Sequence, residues 1–172
     1  HFDHCGANMK TEDGELSPRF PEATYYVQRS QLEWAKSPSP LDRKSFISEN
    51  YAKLLDTEKM ELVEGETELF PGIQILTSRG HTPGQQHVLL EDQEEPVLFS
   101  ADLFPLHYNV KPNWISSLEL FPLDLVSAKQ EVLTRAAQNN WRIIFPHDTE
   151  IISAKVNNQG HSFRIIDRQT CS

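Results

Sequence analysis

The sequence has little cysteine, no long apolar run and a deficit of cations, and each shortage narrows its class. Two cysteines, Cys5 and Cys171, stand near opposite ends of 172 residues. That number builds no disulfide framework, and the spacing implies no bridge between them, so a reduced, cytoplasmic setting is expected. The longest apolar stretches are short, such as residues 96–99 and 143–145, and fall far short of the roughly 20 residues of a membrane helix. Sixteen Lys and Arg against 25 Asp and Glu leave a formal net charge of −9. With no basic cluster, a nucleic-acid backbone is a poor partner. The expected partner is a small molecule, with no nucleic acid and no membrane, and a homodimer is left open. The sequence opens neither on Met nor on a signal-type stretch. The chain opens instead on His1-Phe2-Asp3-His4, which places two of its seven histidines in four positions.

What is present describes a folded chain. Apolar residues make up 38% and charged residues 24%, enough for a core. Residues 10–21, with Gly14, Pro18 and Pro21, suggest a loop or a frayed helix end. Residues 23–28 are aromatic and β-branched and predict a strand. Ser30 is placed to cap a short helix through Trp34 and Ala35, which Ser37-Pro38-Ser39-Pro40 would break. Residues 41–55 predict a helix with Phe46, Tyr51, Leu54 and Leu55 as its apolar positions.

The rhythm then becomes that of a meandering sheet. Strands are expected at 60–63, 73–76, 87–90 and 96–100, the last after an acidic turn at 91–95. A helix capped by Ser127 should run to Asn139 with Val132, Leu133 and Ala136 on one face. Strands at 142–145 and 161–166 would follow. The class is mixed α and β, without strict alternation.

Four places put a metal-binding side chain beside a strand end or a tight turn. They are His1-Phe2-Asp3-His4, His81 within Gly80-His81-Thr82-Pro83-Gly84, Asp102 after the strand ending at Ser100, and His147 after Ile143-Ile144-Phe145-Pro146. Strand ends are rigid platforms, and imidazole with carboxylate suits zinc, iron or manganese. A carboxylate such as Asp102 can bridge two cations that together clamp an ester-like group. Taken singly, each residue has an ordinary role. A histidine after a strand is usually packed or at the surface, which is the expectation for His107 and His161. His87 alternates with Val88 and Leu89 and reads as structural. Cys5 beside His4 lacks a second nearby sulfur and makes a poor ligand.

Jointly, the four motifs resemble the metallo-β-lactamase superfamily. His1-Phe2-Asp3-His4 is similar to the last four residues of its H-x-H-x-D-H motif, and Gly80 to Gly84 matches its Gly-His-Thr-Pro-Gly turn. Asp102 matches the strand-end Asp, with Ala101 where the family usually has Gly, and His147 matches the last ligand. The separations of 21 residues from His81 to Asp102 and 45 on to His147 are similar to those of lactonase-like members. The nearest branch holds N-acyl homoserine lactonases and methyl-parathion-type hydrolases. Lactonases commonly carry a Tyr three residues after the bridging Asp; that position is Pro105 here, and Tyr108 comes three later.

The resemblance implies an α+β fold, an αββα sandwich of two face-to-face sheets with helices outside. It implies one domain over 1–172, lacking N-terminal strands, with a helical insert at about 30–56. His1 and His81 would bind a first metal, together with a motif His lying before this chain. Asp3, His4 and His147 would bind a second, and Asp102 would bridge both. The cofactors implied are two divalent ions, zinc first, with iron or manganese as alternatives. The function implied is a metallo-hydrolase whose metal-bridging hydroxide attacks a lactone, ester or phosphotriester. Asp3 and Asp102 would be catalytic, with Asp3 orienting the nucleophile and passing a proton. Asp148 would either support His147 or be an ordinary surface carboxylate. Phe104, Tyr108 and Trp114, with Trp34 and Phe46, are candidates to line an apolar substrate pocket, with core packing the expected fate of at least half of them. The alternatives are a metal-binding fold without hydrolytic activity, or an inactive fragment of such a hydrolase. A complete domain would have roughly 250 residues, and a chain of this length should bind its first metal weakly and expose a sheet face.

Overall fold

The computed structural model describes residues 1–91, 94–160 and 162–171. The chain divides into two compact units, His1–Glu64 and Gly65–Ser172.

In the first unit, β1 (Met9–Glu12) and β2 (Glu15–Pro18) form an antiparallel hairpin. It turns at Asp13 and Gly14, with φ of 52° and 81°. Two positive φ values in succession are what a tight hairpin needs, and Asp-Gly supplies them at least strain. The hairpin replaces the expected loop, and the Asp-Gly pair was its sequence signal.

β3 (Tyr25–Gln28) pairs in parallel with β4 (Met60–Val63). Between them run α1 (Arg29–Lys36), two short 3-10 turns (Arg43–Ser45 and Ser48–Asn50) and α2 (Ala52–Leu55). Ser30 lies inside α1 rather than at its cap, which is Gln28. The continuous helix expected over 41–55 is not formed. Asp42 accepts hydrogen bonds from Trp34 Nε1 at 2.8 Å and Ser39 Oγ at 2.8 Å, a local alternative to helical geometry. Phe46 and Ile47 then leave helical backbone angles altogether. Phe2, Leu32, Ala35, Phe46 and Tyr51 form this unit's core.

The second unit is built on a seven-stranded sheet of order β11-β10-β9-β8-β7-β6-β5. Its strands are β5 (Thr67–Phe70), β6 (Ile73–Ser78), β7 (Gln85–Leu90), β8 (Val97–Phe99), β9 (Arg142–Ile144), β10 (Ile151–Asn158) and β11 (Phe163–Thr170). All neighbours are antiparallel except β8 and β9. A parallel pair needs a crossover, and α3 (Pro122–Gln138) lies within it. Pro122 starts α3, where its missing N–H costs nothing. Ser127 is therefore interior, and its hydroxyl donates back to the Leu123 carbonyl at 3.1 Å instead of capping. Strands β5 and β10 were not expected. His161 and part of the 91–95 turn lie outside the described residues, and the last strand begins at Phe163.

Register places Leu89, Leu98 and Ile143 side by side on one face. All three are essentially inaccessible and join Leu133 and Ala136 of α3 in the unit's core. The opposite face carries Phe70, Leu90 and Phe99, which are about half exposed at 53%, 47% and 45%. The same topology aligns the C-terminal ends of β6, β8 and β9, from which the segments bearing His81, Asp102 and His147 depart.

Candidate metal centre

Three of the ligands expected from sequence converge in the second unit. Asp102 sits in a short 3-10 turn after β8. Its Oδ2 lies 3.2 Å from His81 Nε2, and its Oδ1 lies 2.9 Å from His147 Nε2. The two carboxylate oxygens thus face two histidines delivered by different loops.

The turn that presents Asp102 has an unusual backbone. Ala101 adopts φ 45°, a left-handed conformation that glycine takes freely. This explains physically why a Gly precedes the strand-end Asp in the family pattern, and Ala101 carries the strain of its Cβ here. The turn that presents His81 is fixed by close approach. A Cβ on Gly80 would lie 2.6 Å from Leu125 Cα, so only glycine lets the turn meet the start of α3. The Gly80 carbonyl also accepts from Phe121 N at 2.8 Å.

Glu119 was not singled out in the sequence. It is buried, and its Oε2 lies 2.9 Å from His81 Nδ1. A carboxylate only accepts, so Nδ1 carries a hydrogen and Nε2 points at Asp102. Burial works against charge on His81, but hydrogen bonds to Asp102 and Glu119 outweigh it and raise its pKa to about 9. With Nδ1 donating to Glu119, the ring holds Nε2 toward Asp102 Oδ2. A metal cation in place of the Nε2 proton would meet the same negative partners, with the ring already oriented by Glu119. The donor set of His81, Asp102 and His147 therefore fits a divalent metal.

The supports are also buried. Lys129 of α3 is 1% exposed and donates from Nζ to the carbonyls of Trp114 at 2.7 Å and Lys111 at 3.2 Å. Burial pushes its pKa down to about 8. It fixes the loop that precedes Glu119. Asp148 is enclosed rather than a surface carboxylate. Its Oδ2 accepts from His107 N at 2.7 Å and pairs with His107 Nδ1 at 2.5 Å. Its Oδ1 accepts from the backbone N of Glu150 and Ile151 at 2.9 Å each. Burial opposes its ionisation, but these donors hold its pKa at about 2. His147 N donates to the Pro105 carbonyl at 3.0 Å, so the loops after β8 and β9 are stitched together. His107 is therefore a half-buried partner of Asp148.

Of the expected pocket residues, Phe104 is fully buried in the core cluster and offers no surface to a substrate. Tyr108 and Trp114 are about half exposed, with ring centroids 6.3 Å apart. In the first unit, Phe46 is buried and Trp34 packs against the same cluster.

His1, Asp3 and His4 belong to the first unit. The turn Phe2–Asn8 carries Asp3 and His4, anchored by Phe2 packing edge-on against Phe46 and Tyr51. His1 Nε2 lies 3.7 Å from Asp42 Oδ2, and His4 Nε2 lies 3.9 Å from Asp3 Oδ1. Cys5 and Cys171 are both free thiols.

Residues 1–147 match the metallo-beta-lactamase superfamily, and the chain belongs to it. It is 34% identical over 105 residues to an N-acyl homoserine lactonase of Bacillus sp., covering 59% of this chain and 34% of that enzyme. It superimposes on a probable metal-dependent hydrolase from Staphylococcus aureus with a TM-score of 0.76 at 22% identity, covering 90% of this chain and 56% of the other. It also superimposes on AidC, a dizinc quorum-quenching lactonase, with a TM-score of 0.71 at 16% identity, covering 91% and 58%. These two likenesses establish the fold. The chain spans about a third of the length of the Bacillus lactonase, at 34%, and somewhat over half of the two solved structures, at 56% and 58%.

Proposed function

We propose that this chain carries the metal centre of a hydrolase acting on a lactone, ester or phosphotriester. The observation that supports this most is Asp102, whose two oxygens face His81 and His147 at 3.2 and 2.9 Å. A carboxylate shared between two histidines is the arrangement a bridging ligand requires. By the superfamily's motif order, His1, Asp3 and His4 would be the chain's further ligands. Zinc is the metal that imidazole and carboxylate ligands favour, and iron or manganese would accept the same set. Bound as a pair, such ions polarise a carbonyl or phosphoryl oxygen and lower the pKa of water from 15.7 to about 7.

The chain's own residues do the rest. Glu119 fixes the His81 ring so that Nε2 keeps one direction. Asp102 holds two loops at one distance. Asp3, by the motif order, would orient the nucleophile and pass a proton to the leaving group. Tyr108 and Trp114 offer an apolar surface to the substrate's non-reacting part. A lactone is the first substrate to try, because the Bacillus relative is an N-acyl homoserine lactonase.

The test is a panel of N-acyl lactones, aryl esters and phosphotriesters assayed on zinc-loaded protein and on Asp102→Ala. Turnover of one class, lost in the variant, is expected. Stoichiometric zinc with no turnover on any class would overturn the hydrolase and leave a metal-binding fold without this chemistry.

A further inference from the structure

We infer that His87 is a positioning residue: it is the centre of a buried hydrogen-bond chain that sets the spacing of the three loops bearing His81, Asp102 and His147. The inference rests on the metal-centre reading above and adds what holds that centre together before any ion binds.

The chain runs across four neighbouring strands. His87 lies in β7, between β6 and β8, and has no exposed surface. Its Nε2 is 2.8 Å from Ser78 Oγ, at the end of β6 and three residues before His81. Its Nδ1 is 2.8 Å from the Ser100 carbonyl, two residues before Asp102. The Ser100 hydroxyl in turn lies 2.7 Å from the Ile144 carbonyl, at the end of β9 and three residues before His147. Ser100 is itself fully buried, and its hydroxyl also approaches the Phe104 carbonyl at 3.1 Å.

The proton directions follow from the atoms. A carbonyl only accepts, so His87 Nδ1 donates to Ser100. In the neutral ring Nε2 then accepts from the Ser78 hydroxyl. Only this tautomer of a neutral imidazole satisfies both ends, and burial keeps the ring neutral, with its pKa lowered to about 4. One rigid ring therefore spans the gap between two ligand loops, and one hydroxyl spans the gap to the third.

An ordinary packing residue on this face would be apolar, like Leu89 and Leu98 beside it. A buried imidazole is costly unless both nitrogens are satisfied, and here both partners lie within three residues of a ligand. Loop spacing is what a metal centre needs to tight tolerance, because ligands out of place by an ångström bind weakly.

The experiment uses the full chain with four substitutions: His87→Leu, His87→Asn, Ser78→Ala and Ser100→Ala. Two quantities are read on folded protein. One is zinc affinity by chelator competition, and the other is amide hydrogen exchange in the metal-free state. His87→Leu should weaken zinc by about tenfold or more, the range seen when outer supports of metal ligands are removed. It should also speed exchange in both the 79–83 and 101–104 segments. His87→Asn keeps the donor to Ser100 and should restore protection at 101–104 but not at 79–83. Ser78→Ala should loosen 79–83 alone, and Ser100→Ala should loosen 145–148. If His87→Leu does not fold, the Asn and Ser78 variants decide by their loop-specific pattern. Wild-type zinc affinity with unchanged exchange in the folded variants would overturn the inference. A wild-type chain that binds no zinc, yet shows the predicted exchange pattern, would overturn the metal-centre reading while leaving the loop-spacing role intact.

Discussion

The buried neutral ring of His87 sets a window of acid sensitivity that can be calculated. Burial lowers its pKa from 6.5 to about 4, partly opposed by the hydrogen bond to Ser100 and by the charge of Asp102. In the unfolded chain the ring titrates near its ordinary value. Between the two values the unfolded state binds the extra proton, so folding weakens as pH falls. The stabilisation is fully present above pH 6.5 and is lost by about pH 4. At about 1.4 kcal/mol per pKa unit, the whole window is worth about 3 kcal/mol. Glu95, held at about 2 by hydrogen bonds from Arg142 and Lys155, begins to lose stability only as pH falls through 4.5, and the variant shares that loss. Asp148, held at about pH 2 by its donors, changes stability only below its unfolded pKa of 3.8. The raised pKa of His81, about 9, adds stability fully present below 6.5 and lost only as pH rises through 9. The assay is urea unfolding of the metal-free chain at pH 7, 6, 5 and 4.5, beside His87→Asn, which does not titrate. Wild type should lose about 2–3 kcal/mol more than the variant across that range. Parallel curves would refute the neutral, buried assignment of His87.

Other substitutions probe the site and its frame. Glu119→Gln should weaken zinc binding by about 10–100-fold in chelator competition, and an unchanged affinity would remove Glu119 from the centre. Gly80→Ala drives a Cβ against Leu125 and should destabilise by about 1–3 kcal/mol in a thermal melt. Lys129→Ala removes the ammonium that ties the Lys111 and Trp114 carbonyls to α3, leaving them only Trp114 N and Asn109 Nδ2 as donors. It should cost about 1–3 kcal/mol in urea unfolding and shift Trp emission as the Trp114 loop loosens. Leu98→Ala, at the centre of the sheet's buried face, should cost about 2–5 kcal/mol.

The candidate metal ligands stood out because each sits in a short motif whose meaning is local. Gly80-His81-Thr82-Pro83-Gly84 is one continuous turn, and Asp102 and His147 each follow an apolar strand. The central strands β6 to β9 were legible for the same reason, through dense apolar and β-branched residues. Glu119 was not, since nothing in its neighbours distinguishes it from other acidic residues and its partner lies 38 residues away. The pairing of His107 with Asp148 was hidden by a separation of 41 residues. β10 escaped notice because Lys155, Asn157 and Asn158 dilute its apolar signal, although Ala154 and Val156 are buried. Helix starts erred toward serine. Both Ser30 and Ser127 were given caps, whereas Pro122 marked the true first turn of α3. The region 41–55 has the apolar spacing of a helix, but hydrogen bonds to the Asp42 side chain and the backbone at Phe46 divide it into short turns.

The central claim is that Asp102 joins a metal centre through its two oxygens. The most direct test is transition-metal content, by mass spectrometry, of natively purified wild type and Asp102→Ala, with circular dichroism to confirm folding of both. The account predicts stoichiometric metal, zinc foremost, in the wild type and its loss in the folded variant. Equal metal content in the two proteins, or none in the wild type, would contradict it.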